Sequence, residues 1–215
     1  MELNLLEDLA PAERDALLAK CVRRRFARRQ ALFHFGDPSN GMYVVTEGRV
    51  VVRISTPTGE EASLTVIGPG QSVGEQSLLV QGGRRSASAV ALEPVECLFL
   101  SRQAFLELRA EDAGFDQVML RLLAARVIRL TDQLVEALFV PATTRVLRRV
   151  IDAAVLYGDG TIPLTQEELA AMAGSTRNTA NRVLRAAQDA AVLEVKRGRI
   201  TVLDMRGLRR LAEAG

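Results

Sequence analysis

The chain has 215 residues, 48% of them apolar and 25% charged, with 28 Lys and Arg against 26 Asp and Glu. That length supports one or two domains with real cores, and the balance is that of a globular protein rather than a disordered or fibrous one. Tryptophan is absent and only 4% of residues are aromatic, so the core must be aliphatic.

No run of about 18 apolar residues occurs, which excludes a transmembrane helix. The N-terminus, MELNLLEDLAP, is acidic and lacks the basic start of a signal peptide, which points to the cytoplasm. Cys21, Cys97 and the single histidine, His34, lack the spacing of a zinc site, so no metal is expected. No Gly-x-Ser-x-Gly elbow accompanies His34, so nothing in the chain composes a hydrolytic site and no enzyme is expected. Charge is unevenly placed: Phe139–Gly215 carries 12 basic and 8 acidic residues, while Met1–Leu138 carries 16 and 18. The C-terminal third therefore leans toward a polyanionic partner.

In chain order, leucine spacing over Leu3–Cys21 predicts a short helical entry, interrupted by Pro11. Arg23–Arg29 holds five arginines and reads as a solvated strand or loop before it reads as a nucleic-acid contact. From Ala31 to Leu100 the apolar pattern alternates with period two. Met42–Ile54, MYVVTEGRVVVRI, predicts two strands in a hairpin turning at Glu47-Gly48, and Ser63–Ile67, Ala87–Leu92 and Val95–Leu100 are further short strands. Turn signals at Gly36-Asp37-Pro38, Pro57-Thr58-Gly59, Gly68-Pro69-Gly70, Gly82-Gly83 and Glu93-Pro94 punctuate them, the pattern of a barrel or jelly roll.

Within this region lies Gly70–Ser88, GQSVGEQSLLVQGGRRSAS. Glycines at Gly70, Gly74, Gly82 and Gly83 let backbone N–H groups approach a ligand and form an anion-binding nest. Arg85 supplies a charge-assisted bond to a phosphate, and Glu75, ten residues upstream, can accept from a sugar hydroxyl. Together they suggest a sugar-phosphate site; the same stretch also reads as a glycine-rich loop with solvated charges. Its place inside a β region argues against a Rossmann or P-loop site.

Ser101–Glu111 is expected to be a short helix capped by Ser101. Phe115–Phe139 then runs without Gly or Pro and carries two apolar stripes. One is Leu120, Leu123, Val127, Leu130 and Leu134; the other is Ala124, Ile128, Thr131, Val135 and Leu138. Both keep heptad-like spacing, so the helix is covered on two sides, by its own domain and a second subunit or wholly within one chain. Pro141 ends it and marks a boundary or hinge.

Ala142–Tyr157 is the next helix. Thr165–Ala173 follows, with Thr165 as N-cap and Glu168 in the capping-box position. After Gly174, Thr176–Ala190 forms another helix, and Val192–Val202 forms two strands around Lys196–Arg199 before a terminal helix. Helix, glycine turn, helix is a helix-turn-helix, with Leu169, Ala170, Ala173, Ala180, Val183 and Leu184 turned inward. The second helix then presents Arg177, Asn178, Asn181, Arg182 and Arg185, types suited to guanine and adenine edges. Thr165, Gln166, Thr176 and Thr179 suit phosphates, and Lys196 and Arg199 sit on a basic wing. The alternative is an ordinary helical hairpin with solvated arginines.

This α+β arrangement of β-roll, long helix and winged helix-turn-helix resembles the cyclic-AMP receptor/FNR superfamily of bacterial transcription regulators over nearly the whole chain. Gly74-Glu75 with Arg85-Ser86, and Thr165–Leu184, carry the likeness most specifically; Gly36-Asp37, Tyr43 and Gly48 also fit. The resemblance implies a cyclic-nucleotide-binding β-roll over 1–113, a dimerisation helix and hinge over 114–139, and a DNA-binding domain over 140–215. It implies that Glu75 binds the ribose hydroxyl and that Arg85 and Ser86 hold the cyclic phosphate, with Gly74, Gln76 and Ser77 beside them. Thr131 stands where the family contacts the adenine amino group, which selects the stripe from Ala124 to Leu138 as the dimer seam. Arg177 and Arg182 align with base-reading arginines.

Two departures stand out. Asp132 replaces a serine that reaches the partner's nucleotide, and a carboxylate can accept from adenine or from guanine N1–H and N2–H. Cyclic AMP is the first expected ligand and cyclic GMP the second. Asn178 replaces a glutamate that reads cytosine, so one base preference should relax or change. The four-cysteine cluster of the iron–sulfur branch is missing, and no haem is expected. The expected protein is a homodimer on a pseudo-palindromic double-stranded DNA operator, with RNA polymerase as a further partner and no membrane attachment. The alternatives are a relative that acts without ligand or on another signal, and a nucleotide-binding module that does not bind DNA.

Overall fold

The computed structural model describes residues 9–55, 61–80, 82–112, 114–158 and 160–214. The chain divides into two compact units, Met1–Arg129 and Leu130–Gly215, with the division inside one long helix. Among the described residues no helix is long and apolar enough to cross a membrane.

The first unit opens with α1 (Pro11–Lys20). Pro11 occupies the first helical position, where a missing N–H costs nothing, so it starts the helix instead of interrupting it. The part of the expected helical entry before Leu9 lies outside the described residues. Eight strands follow: β1 (Val22–Phe26), β2 (Ala31–Phe33), β3 (Gly41–Glu47), β4 (Val50–Ser55), β5 (Glu61–Ile67), β6 (Ser72–Val73), β7 (Ser88–Ala91) and β8 (Val95–Ser101). The expected turn at Pro57-Thr58-Gly59 lies outside the described residues.

The strands form two antiparallel sheets, ordered β1-β8-β3-β6 and β2-β7-β4-β5. The hairpin expected over Met42–Ile54 does not exist: β3 pairs with β6 and β8, and β4 with β5 and β7. At Gly48, φ is +76° and an added Cβ would stand 2.3 Å from the Pro94 carbonyl. The chain there crosses from one sheet to the other instead of folding back on itself. Val45, Val73, Val95 and Cys97 of one sheet and Val50, Val52, Ile67 and Ala89 of the other share one aliphatic core.

A second core joins Met42, Val44, Leu98 and Leu100 to helices. These are α1, a one-turn α2 (Gln76–Leu79), α3 (Arg102–Glu111) and the start of α4 (Gly114–Phe139). Ser101 caps α3, accepting from the Ala104 N–H at 3.1 Å. Phe115, Val118, Met119 and Leu122 are the buried residues of α4. Neither expected stripe provides the buried face, although Leu123 packs at its margin. Leu120, Val127, Leu130 and Leu134 of one stripe and Ile128, Val135 and Leu138 of the other are all at least 51% exposed. Both stripes keep helical spacing, but the buried set, about a third of a turn from the first and half a turn from the second, keeps it too, so periodicity alone does not separate them.

The second unit holds α5 (Ala142–Tyr157), β9 (Thr161–Ile162), α6 (Gln166–Met172), α7 (Arg177–Asp189), β10 (Leu193–Lys196), β11 (Arg199–Val202) and α8 (Met205–Ala214). Helix α5 buries Val146, Leu147, Val150, Ala153 and Ala154, and α6, α7 and α8 pack on it. The small sheet is ordered β10-β11-β9; its third strand, only two residues long, is too short to leave an alternating pattern in the sequence.

Candidate functional site

The cassette is built from two segments that the first unit holds side by side. Gly36 N–H donates to the Arg85 carbonyl at 2.9 Å, Arg85 N–H to the Asp37 carbonyl at 2.9 Å and Ser39 N–H to the Gly83 carbonyl at 3.0 Å. This zips the turn at Gly36 onto the Arg-Arg-Ser run and fixes where Arg85 points. The guanidinium lies over the Phe33 ring, 4.1 Å from its centroid. It donates from Nη2 to the Gly41 carbonyl at 2.7 Å, and from Nη1 to Ser77 Oγ at 3.2 Å and the Gly74 carbonyl at 3.3 Å. Burial lowers the Arg85 pKa from its ordinary value, while the charges of Tyr43, Asp37 and Glu75 oppose that.

Glu75, Ser77 and Arg85 are the buried polar groups here, at 3%, 2% and 5% exposure. Glu75 pairs through Oε1 with Arg126 of α4, at 3.1 Å to Nη2, while Oε2 is buried without a hydrogen-bond partner. Arg85 Nε is likewise buried without one. A buried carboxylate oxygen without a donor is costly unless something else supplies one. At Gly74, φ is +84° and an added Cβ would stand 2.3 Å from Arg85 Nη1, so only glycine leaves room for the guanidinium. An unsatisfied acceptor, an adjacent guanidinium and exposed Ser86 and Gln76, bonded to each other at 3.3 Å, fit a ligand with a sugar hydroxyl and a phosphate. Ser77 is placed differently from its neighbours: its hydroxyl faces the Gly41 and Gly74 carbonyls and supports Arg85.

Arg126 is the member that sequence reading missed. It is 51 residues from Glu75, and only the packing of α4 brings the two together. Thr131 and Asp132 are exposed on the same helix. Thr131 stands five residues past Arg126, about 140° further round at 3.6 residues per turn, and so lies on another face of the helix.

In the second unit, Thr165 caps α6 in a full capping box with Glu168, and Thr176 caps α7, accepting from the Thr179 N–H at 3.1 Å. Leu169, Ala170, Ala173, Ala180, Val183 and Leu184 are all buried, as their spacing predicted. Seating that face leaves Arg177, Asn178, Arg182 and Arg185 exposed and Gln166, Thr179 and Asn181 half-buried. Lys196 pairs with Glu194 at 3.0 Å on the wing, and Arg199 is exposed.

Arg145 of α5 holds the turn in place. It donates to the carbonyls of Ala173 at 2.8 Å and Gly174 at 2.9 Å, and to those of Val140 at 2.8 Å and Ala137 at 3.3 Å. One guanidinium therefore ties the end of α4 to the turn of the helix-turn-helix. Beside it, Glu136 takes Arg149 and Arg148.

Comparison with known proteins matches both halves. Residues 23–112 match the cyclic nucleotide-binding domain and residues 123–211 the Crp-like helix-turn-helix domain. The chain is 35% identical over 211 residues to a cyclic AMP receptor protein of Thermus thermophilus, covering 97% of this chain and 96% of that one. It is 29% identical over 188 residues to a CRP-like cAMP-activated global transcriptional regulator of Mycobacterium tuberculosis, covering 84% of each. The crystal structure of the Thermus thermophilus catabolite activator protein aligns with a TM-score of 0.57 at 32% identity, covering 98% of this chain and 99% of that one. With both domains matched in the same order along nearly its whole length, the chain belongs to the CRP/FNR family, which consists of transcription regulators and not of enzymes.

Proposed function

We propose that the protein is a homodimeric transcription regulator whose DNA binding is controlled by a cyclic nucleotide in the β-roll, cyclic AMP first and cyclic GMP second. The observation that carries this is Glu75: a buried carboxylate with one oxygen lacking a donor, beside the buried Arg85. In this reading Glu75 takes the ribose hydroxyl, and Arg85 and Ser86 take the phosphate, with Gly74 and Gln76 at the same loop and Ser77 behind it. Thr131 and Asp132 discriminate the base. The relatives named for cyclic AMP support the choice of ligand.

The exposed apolar length of α4 supports a second copy as its cover, with the stripe from Ala124 to Leu138 as the seam. Binding of nucleotide biases the two long helices, and Arg145 and Glu136 carry that bias from the end of α4 to the recognition turn. The dimer then sets two α7 helices about 34 Å apart on a pseudo-palindromic operator. Arg177 and Arg182 read bases, helped by Asn178, Asn181 and Arg185. Thr165, Gln166, Thr176, Thr179, Lys196 and Arg199 contact phosphates. We place the action in the cytoplasm, with RNA polymerase as the downstream partner, and organise the chain as 1–113, 114–139 and 140–215.

One observation favours a second reading. The two terminal nitrogens of Arg85 already donate to the Gly41 and Gly74 carbonyls of its own chain, the arrangement expected if the β-roll serves only as a scaffold. Calorimetry separates the two: cyclic AMP or cyclic GMP titrated into the wild type gives heat if the site binds, and no heat from either leaves the scaffold reading. The same titration on Asp132→Ser should shift the preference between the two nucleotides.

A further inference from the structure

Helix α7 is seated by Ala180, Val183, Leu184 and Ala187, which are all buried. At 100° per residue, the direction opposite the mean of those four falls between Asn178 and Arg182. Asn178 is thus the first-turn side chain pointing most directly away from the domain. Arg182, four residues on, lies on the same line about 6 Å further along the axis, less than two base-pair rises. Arg177 lies well round toward the flank. Both Asn178 and Arg182 border one open groove along the helix with Asn181, Arg185, Ala186 and Asp189.

The chemistry of this face is one-sided. From Arg177 to Gln188 there is no Asp or Glu, so it presents no carboxylate to accept from the cytosine amino group. Asp189 is the first acid, at the far end of the helix. Among the described residues the side chains of Asn178 and Asn181 have no hydrogen bond, and Arg177, Arg182 and Arg185 no ion pair, so each arrives at a base edge without a side-chain bond to break. A planar amide donates to one acceptor while accepting from one amino group, and adenine N7 with N6–H₂ offers that pair in the major groove.

We infer that Asn178 is a specificity-determining residue that reads an adenine, bidentate at N6 and N7, one or two base pairs from a guanine read by Arg182. This rests on the reading of α7 as the DNA-recognition helix. It makes each half-site purine-reading at the centre of the interface: the residue selects A·T positively and does not merely tolerate any pair.

The test is selection from a random duplex pool by the full-length protein, with cyclic AMP, with cyclic GMP and with neither, followed by competition anisotropy on the selected site. The expected result is one position in each half-site where A·T is preferred over the other pairs by about 5- to 150-fold. Replacing that adenine by 7-deazaadenine, which lacks the N7 acceptor, should weaken binding by several-fold. Asn178→Ala should flatten that position alone, leave the salt slope unchanged and be insensitive to 7-deazaadenine. Asn178→Glu should turn the preference toward C·G. A selected motif whose every position is unchanged by Asn178→Ala, or wild-type binding indifferent to 7-deazaadenine, overturns the assignment and leaves the DNA reading standing. Equal binding to all duplexes under all three conditions overturns both. The deaza arm needs no variant, so it stands whether or not a substitution perturbs folding.

Discussion

The two proposed binding surfaces of this chain handle charge in opposite ways. In the cassette, Glu75, Ser77 and Arg85 are nearly inaccessible, and each is held by another side chain or by backbone carbonyls. On α7, Arg177, Asn178, Arg182 and Arg185 are exposed, with no side-chain hydrogen bond or ion pair among the described residues. A small ligand must recover, from a few bonds, the cost of leaving water, so its site has to be desolvated and pre-positioned. DNA brings a dense phosphate charge that acts over nanometres and releases counterions, so its site works best with solvated charges on a rigid helix. Substitutions should therefore cost stability and ligand affinity together in the cassette, and DNA affinity alone on α7.

The most severe test of that contrast is Arg85→Leu. Beyond losing nucleotide heat in calorimetry, it strips the buried Gly41 carbonyl and the half-buried Gly74 carbonyl of their charged donor. A loss of about 2–5 kcal/mol is expected in urea unfolding. An unchanged midpoint with lost binding would show that the inward bonds of Arg85 contribute little.

Arg145→Ala comes next, because it belongs to neither surface yet donates to two carbonyls at the recognition turn and two at the end of α4. It should cost about 2–4 kcal/mol of stability and blunt the response of DNA affinity to nucleotide. Gly74→Ala should cost about 1–2 kcal/mol from the left-handed backbone alone. Because its methyl would displace Arg85, it should also weaken nucleotide binding more than its stability loss suggests. The smallest effect belongs to Lys196→Ala on the wing: weaker DNA binding by the same factor on every sequence, a salt slope reduced by about 1, and an unchanged thermal midpoint. A sequence-dependent loss would move Lys196 from phosphate to base contact.

The same contrast explains what could be read from the sequence. The helix-turn-helix was legible almost residue by residue because its determinants are local: Thr165 with Glu168, Thr176 with Thr179, and apolar residues at helical spacing between them. The strands of the β-roll were legible one at a time, but their partition into sheets was not. Nothing in MYVVTEGRVVVRI distinguishes a hairpin from a crossing between sheets, since both need a glycine at the turn. The pairing is decided by β6, β7 and β8, further along the chain. Glu75 and Arg85 stood out by type and spacing, whereas Arg126 meets Glu75 only through the docking of α4. The apolar stripes of α4 predicted a helix covered on two sides, yet the face buried in its own unit is a third one. Leucine spacing reports that a face is apolar and says nothing of what covers it.

The central claim is that the nucleotide in the cassette changes the affinity of α7 for DNA, and one measurement bears on it most directly. Anisotropy of a labelled duplex carrying the selected operator, at fixed salt and with rising cyclic AMP or cyclic GMP, reads the coupling as a ratio of affinities. A ratio of about 5- to 150-fold with one nucleotide, abolished by Arg85→Leu, is the predicted result. Tight operator binding that neither nucleotide changes would contradict it.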